Sequence, residues 1–90
     1  SPENGIEKLL NGTYHLLILD MKMPEINGIQ FLSKMLEKKI NVPVLIVSSV
    51  DDKTFIIKTM EKFKCVKQFL VKDTDLSLLE DTVKRILFPK

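Results

Sequence analysis

The sequence predicts an α/β fold, a doubly wound parallel sheet with helices on its faces. Short apolar runs rich in Val, Leu and Ile recur three times, each too brief for a membrane span and suited to a strand covered on both sides. Between them lie stretches whose apolar residues follow helical spacing. No tight hairpin signal joins any two of the runs, so the connections are read as right-handed helical crossovers. The resulting order is αβαβαβα.

The first element is a short helix over Asn4 to Asn11, with Ile6, Leu9 and Leu10 on one side and Gly12 ending it through a left-handed backbone. The first strand is expected over Tyr14 to Leu19, with Asp20 at its carboxyl end. After a loop through Pro24, Asn27 is positioned to cap a helix that buries Ile29, Leu32, Met35 and Leu36 and ends near Lys38 and Lys39. Pro43 introduces the second strand, Val44 to Val47, which hands over to Ser48 and Ser49. Asp51 or Asp52 caps the next helix, whose broad apolar face is Phe55, Ile56, Ile57, Met60 and Phe63. The third strand, Val66 to Val71, runs into Lys72. Asp73, Thr74 and Asp75 then open a last helix with Leu76, Leu79, Val83, Ile86 and Leu87 inward.

Composition narrows the class. Ninety residues suit one domain spanning 1–90, and 44% hydrophobic with 29% charged residues suits a soluble globular chain. The single Cys65 can form no internal disulfide and has no second cysteine for a metal site, which fits a cytoplasmic location. A net charge of +2, spread along the chain on lysines with Arg85 the only arginine, argues against direct nucleic acid contact. The chain starts Ser1-Pro2, as a piece of a longer protein would.

Each predicted strand ends in a polar residue, Asp20, Ser48 and Lys72, and in a parallel sheet these ends are neighbours. A carboxylate, a hydroxyl and an ammonium converging on one crevice suit phosphoryl transfer: the carboxylate attacks phosphorus, and the other two hold the oxygens of the group being moved. Any one of the three has an ordinary structural explanation, as turn former, turn cap or solvated lysine. Their coincidence at one edge does not.

The stretches LILDMKMPEINGIQFL, PVLIVSS and FLVK resemble the receiver domain of two-component response regulators, a flavodoxin-like fold, from about Gly5 onward. The resemblance implies that Asp20 is the acceptor of a phosphoryl group from a histidine kinase or phosphotransfer protein. It further implies that Ser48 binds that group and helps switch the fold, and that Lys72 pairs with the phosphate. Phe69, three before the lysine, matches the aromatic that rotates between exposed and buried states, and Pro24 and Gly28 match the family's proline four after the acceptor and the glycine that follows it. The implied cofactor is Mg2+, held by Asp20 and the backbone carbonyl of Lys22.

Departures from the pattern shape the expectations. The family begins with a strand, a helix and a second strand, and its first strand ends in an acidic metal-binding pair; neither has a counterpart here. Mg2+ needs oxygen donors in near-octahedral array, so weak binding is expected. The missing strand belongs beside the one carrying Asp20, leaving an apolar edge open to homodimerisation or segment exchange. Asp73 stands where the family usually has proline, so no cis peptide is expected there. Lys22 can partly neutralise Asp20, and Val50 can shield an acyl phosphate from water.

Other residues read as structural. His15 sits in the first apolar run without a second histidine, Cys65 is a small packing residue, and Met21, Met23, Met35 and Met60 are packing rather than ligands. The leading functional reading is a non-enzymatic phosphoacceptor switch. A degenerate receiver that binds partners, or pairs with itself, without phosphorylation is the alternative. A haloacid-dehalogenase-type phosphatase ranks below both, because Lys22 stands where that class needs a second aspartate.

Overall fold

The structure, a computed structural model, describes residues 2–21, 26–49 and 53–89. Its elements are α1 (Pro2–Asn11), β1 (Leu17–Met21), α2 (Ile26–Glu37), β2 (Val44–Ser48), α3 (Lys53–Lys62), β3 (Val66–Val71) and α4 (Leu76–Leu87). The strands form one parallel sheet in the order β1-β2-β3. The αβαβαβα order and the parallel sheet are as the hydrophobic runs imply.

Register shows how the two faces are filled. Leu17, Leu19, Val44, Ile46, Val66 and Phe69 share one face, because partners in a parallel ladder point the same way and alternate along each strand. That face carries the main core, closed by Ile6 of α1, Leu32 and Met35 of α2, and Phe55, Met60 and Phe63 of α3 and its exit. Leu45 and Leu70 lie buried on the other face, where α4 packs against β3. Helices on both sides make the sheet doubly wound. At about 1.5–3 kcal/mol for each large aliphatic side chain withdrawn from water, this burial is the principal term favouring the fold.

β2, with strands on both sides, is buried almost throughout, whereas β1 pairs only with β2 among the described residues. Ile18 on β1 is accordingly 51% exposed, on the face that α4 covers near β3. A bulge between Val44 and Leu45 leaves Lys67 as the extra residue of β3.

Several expectations are corrected in detail. β1 starts at Leu17 and contains Asp20, so His15 lies exposed in the preceding loop rather than inside a strand. The helix α2 begins at Ile26, which puts Asn27 within the first turn and not at the cap. Gly12 does not adopt positive φ; an added Cβ there would come within 2.8 Å of the Tyr14 ring, so close approach is what suits glycine. Gly5 serves the α1–α2 contact likewise, with Phe31 lying 2.6 Å from where its Cβ would be. Leu10, Leu36, Ile57 and Leu76 are exposed, not inward. The buried residues of α3 and α4 are Thr59 and Thr82, beside partly buried apolar neighbours, and Thr82 stays satisfied by donating its hydroxyl to the Leu78 carbonyl at 2.8 Å. The capping positions Asp51 and Asp52, the loop residues Lys22, Met23 and Pro24, and Val50 lie outside the described residues.

Candidate functional site at the carboxyl end of the sheet

Asp20 reaches this end from the next-to-last position of β1, level with Val47 and Leu70 on the neighbouring strands. Lys72 follows directly after β3. Their side chains meet: Lys72 Nζ lies 3.1 Å from Asp20 Oδ1, with the carboxylate 50% and the lysine 35% exposed. The pair bridges two strands that do not touch one another, across the end of β2. Exposure of this degree leaves the carboxylate open to a reactant while fixing the ammonium against it. As a stabilising contact the pair is minor, since partly exposed ion pairs contribute about 0–1 kcal/mol.

Ser48 ends β2 one register step beyond Asp20, paired with Met21 on one side and Val71 on the other. Its side chain is fully buried. Its carbonyl accepts a hydrogen bond from the backbone N–H of Lys72 at 2.6 Å, so the lysine is anchored to the serine through the main chain as well as by position. Sequence spacing could not reveal this tie.

Lys72 is held from the other side by a tight turn. The Thr74 N–H donates to the Val71 carbonyl at 3.2 Å, the Thr74 hydroxyl donates to the same oxygen, and Asp73 takes φ 70° at the turn's third position. A positive φ there is the mark of a type II turn, and Asp is among the few non-glycine residues that tolerate it. Asp75 then caps α4, its Oδ1 accepting from Ser77 N–H at 2.7 Å. The Asp73-Thr74-Asp75 cluster is therefore turn and cap.

Phe69 lies on the core face of β3, half-buried, and its ring meets Phe55 of α3 edge to face, with centroids 6.3 Å apart and an interplanar angle of 88°. This is an inward position beneath α3. Cys65 packs at the opposite end, where burial pushes its thiol above the ordinary range.

The structure thus brings Asp20, Ser48 and Lys72 to one end of the sheet and places Phe69 on β3, three residues before Lys72. The sequence profile of the response regulator receiver domain matches residues 1–84. The chain belongs to the response regulator receiver domain family. Phosphorylation-based signalling is the role of this family, and its receivers are generally non-enzymatic modules.

Among relatives, this receiver is 44% identical over 54 residues to the transcriptional regulatory protein CiaR of Streptococcus pneumoniae, covering 57% of the chain and 24% of CiaR. It is 31% identical over 81 residues to the transcriptional regulatory protein BasR of Escherichia coli, covering 90% of the chain and 36% of BasR. The chain therefore spans about a quarter to a third of the length of these relatives. The solved receiver domain of the Francisella response regulator 1452 superposes with a TM-score of 0.79 at 22% identity, over 96% of this chain and 69% of that one. That likeness establishes the flavodoxin-like fold.

Receivers generally bind Mg2+ at the phosphorylation site. Among the described residues no group of three His, Cys, Asp or Glu side chains is placed to hold a metal ion. Among the described residues the oxygen donors do not by themselves fit Mg2+.

Proposed function

We propose that Asp20 is the phosphoryl acceptor of this receiver, that Lys72 and Ser48 hold the transferred group, and that a histidine kinase or phosphotransfer protein supplies it. The Asp20–Lys72 contact of 3.1 Å carries the reading. A carboxylate oxygen of Asp20 attacks phosphorus of a phosphohistidine, an O–P bond forms, and the P–N bond breaks with its electron pair returning to the imidazole. The product is an acyl phosphate, with more negative charge than the carboxylate it replaces. Lys72 then pairs with phosphoryl oxygens instead of Asp20.

The backbone bond from Lys72 to Ser48 and the three-residue separation from Phe69 give that exchange a route into β2 and into the packing beneath α3. Phe69 responds by leaving its edge-to-face contact with Phe55, which changes the surface offered to partners. This reading makes the chain a signalling module rather than a hydrolase and places it in the cytoplasm.

Intact mass before and after incubation with acetyl phosphate and magnesium tests the proposal. Gain of one phosphoryl group by the unaltered chain and none by Asp20→Asn is expected. Equal gain by both would overturn the assignment.

A second reading rests on the outer edge of β1, which pairs with no further strand among the described residues, and on exposed Ile18. In it the chain docks by strand pairing at that edge without phosphorylation, with a second copy as the simplest partner. Light scattering coupled to size exclusion decides it: a concentration-dependent dimer lost on Ile18→Lys supports edge pairing, and a monomer at every concentration removes it.

A further inference from the structure

The amino ends of β2 and β3 enclose a second concave feature. The turn after α2 and the turn after α3 lie side by side around a depression of about 340 Å³. Leu36, Ile40 and Phe63 supply apolar lining, and Lys39, Lys62 and Lys64 stand around it. These residues come from two stretches more than twenty positions apart, so an even spread of lysines along the sequence becomes a cluster in space.

We propose that this depression is a docking site for an acidic peptide segment of a partner protein that carries one apolar side chain. Three observations support it. Lys39, Lys62 and Lys64 have no carboxylate partner among the described residues, while Lys38 and Lys67 add charge at the same end and only Glu37 and Glu61 adjoin them on α2 and α3. Leu36 is 58% exposed among these ammonium groups, an apolar surface that water covers unfavourably. The Lys62 ammonium sits over the Phe63 ring, 5.4 Å from its centroid, which orients it at the depression.

The backbone adds a fourth point. α2 ends in a Schellman motif, with Ile40 N–H donating to the Met35 carbonyl at 2.9 Å and Lys39 N–H to that of Leu36 at 3.1 Å. Lys39 occupies the left-handed position of this motif at φ 58°, where glycine is favoured and a lysine costs about 1 kcal/mol. The chain thus keeps a cation at the rim at the expense of stability.

Charge complementarity selects a carboxylate-bearing partner, and the apolar lining selects one with a side chain to insert. Nucleic acid fits less well. The cluster contains no arginine for bidentate phosphate contacts, and Phe63 is buried, which leaves no exposed ring for a base to stack on.

The test is a titration of the nitrogen-labelled full chain, followed by amide correlation spectra. The probe is a blocked peptide with three glutamates on each side of a central leucine. Shifts confined to residues 36–41 and 62–65 are expected. Affinity should fall about fivefold in the Lys62→Gln, Lys64→Gln double variant, whose urea midpoint stays unchanged. It should fall about tenfold when alanine replaces the peptide's leucine. The proposal is overturned by no shifts up to about 1 mM peptide. Shifts spread equally over Lys8, Lys53 and Lys84, indifference to the leucine, or tighter binding of a uridine oligonucleotide at the same residues would overturn it equally.

Discussion

The carboxyl and amino ends of the sheet are built from the same three strands, yet their loops carry opposite electrostatic arrangements. At the carboxyl end one carboxylate and one ammonium neutralise each other at 3.1 Å, and the backbone around them is tied by the Lys72 to Ser48 bond and the Val71–Thr74 turn. At the amino end, lysines gather around apolar surface and outnumber the two glutamates, Glu37 and Glu61, that adjoin them. A parallel sheet collects every strand exit at one end and every entry at the other, so it can keep an ion pair and a lysine-rich surface apart on a small domain. On the proposed reading, chemistry belongs to the carboxyl end because a phosphoryl group added to Asp20 would upset an existing pair. The unbalanced end has charge to offer before any reaction takes place.

Changes at each end sharpen this contrast, and the largest effect falls on chemistry. Asp20→Asn keeps the side-chain volume but removes the proposed nucleophile, so phosphorylation by acetyl phosphate should disappear entirely by intact mass, with thermal stability little changed. Replacing Phe63 by alanine hollows the core beneath the lysines and should cost about 3–5 kcal/mol in urea denaturation. Asp75→Ala removes the cap of α4 just after the reactive end and should cost about 1 kcal/mol by the same measurement. Lys39→Gly relieves the left-handed strain and should raise stability by about 0.5–1 kcal/mol, while weakening the glutamate–leucine peptide. A loss of stability there would mean that the lysine makes contacts worth more than its backbone cost.

Element order and strand polarity were legible because buried parallel strands leave uninterrupted Val, Leu and Ile runs. The sequence LLILD announces both the strand and the residue that ends it. The meeting of Asp20, Ser48 and Lys72 was legible for the same reason, since topology alone aligns the strand ends. Side-chain burial on the helices was harder to read. Leu36, Leu76 and Ile57 have the right spacing for a core face, but a sheet of this width covers only part of each helix, and Thr82 takes an inward place because its hydroxyl bonds to its own helix. The start of β1 was misplaced because Tyr14, His15 and Leu16 are strand-like in composition yet lie before its first ladder bond, made by Leu17 N–H to the Pro43 carbonyl at 2.9 Å. The lysine cluster is not legible in the sequence because positions 39, 62 and 64 converge only when the chain through β2 and α3 brings the two turns together.

The central placement of β2 has a consequence for how the domain loosens. Its amides are sealed by a neighbour on each side, so hydrogen exchange from Val44 to Ser48 should require opening of the whole sheet and report global stability. The amides of β1 and of the turn after β3 are free to exchange through smaller fluctuations. The strand that ends in Ser48 therefore serves as an internal clock, against which any local loosening that follows modification of Asp20 can be timed within a single protein sample.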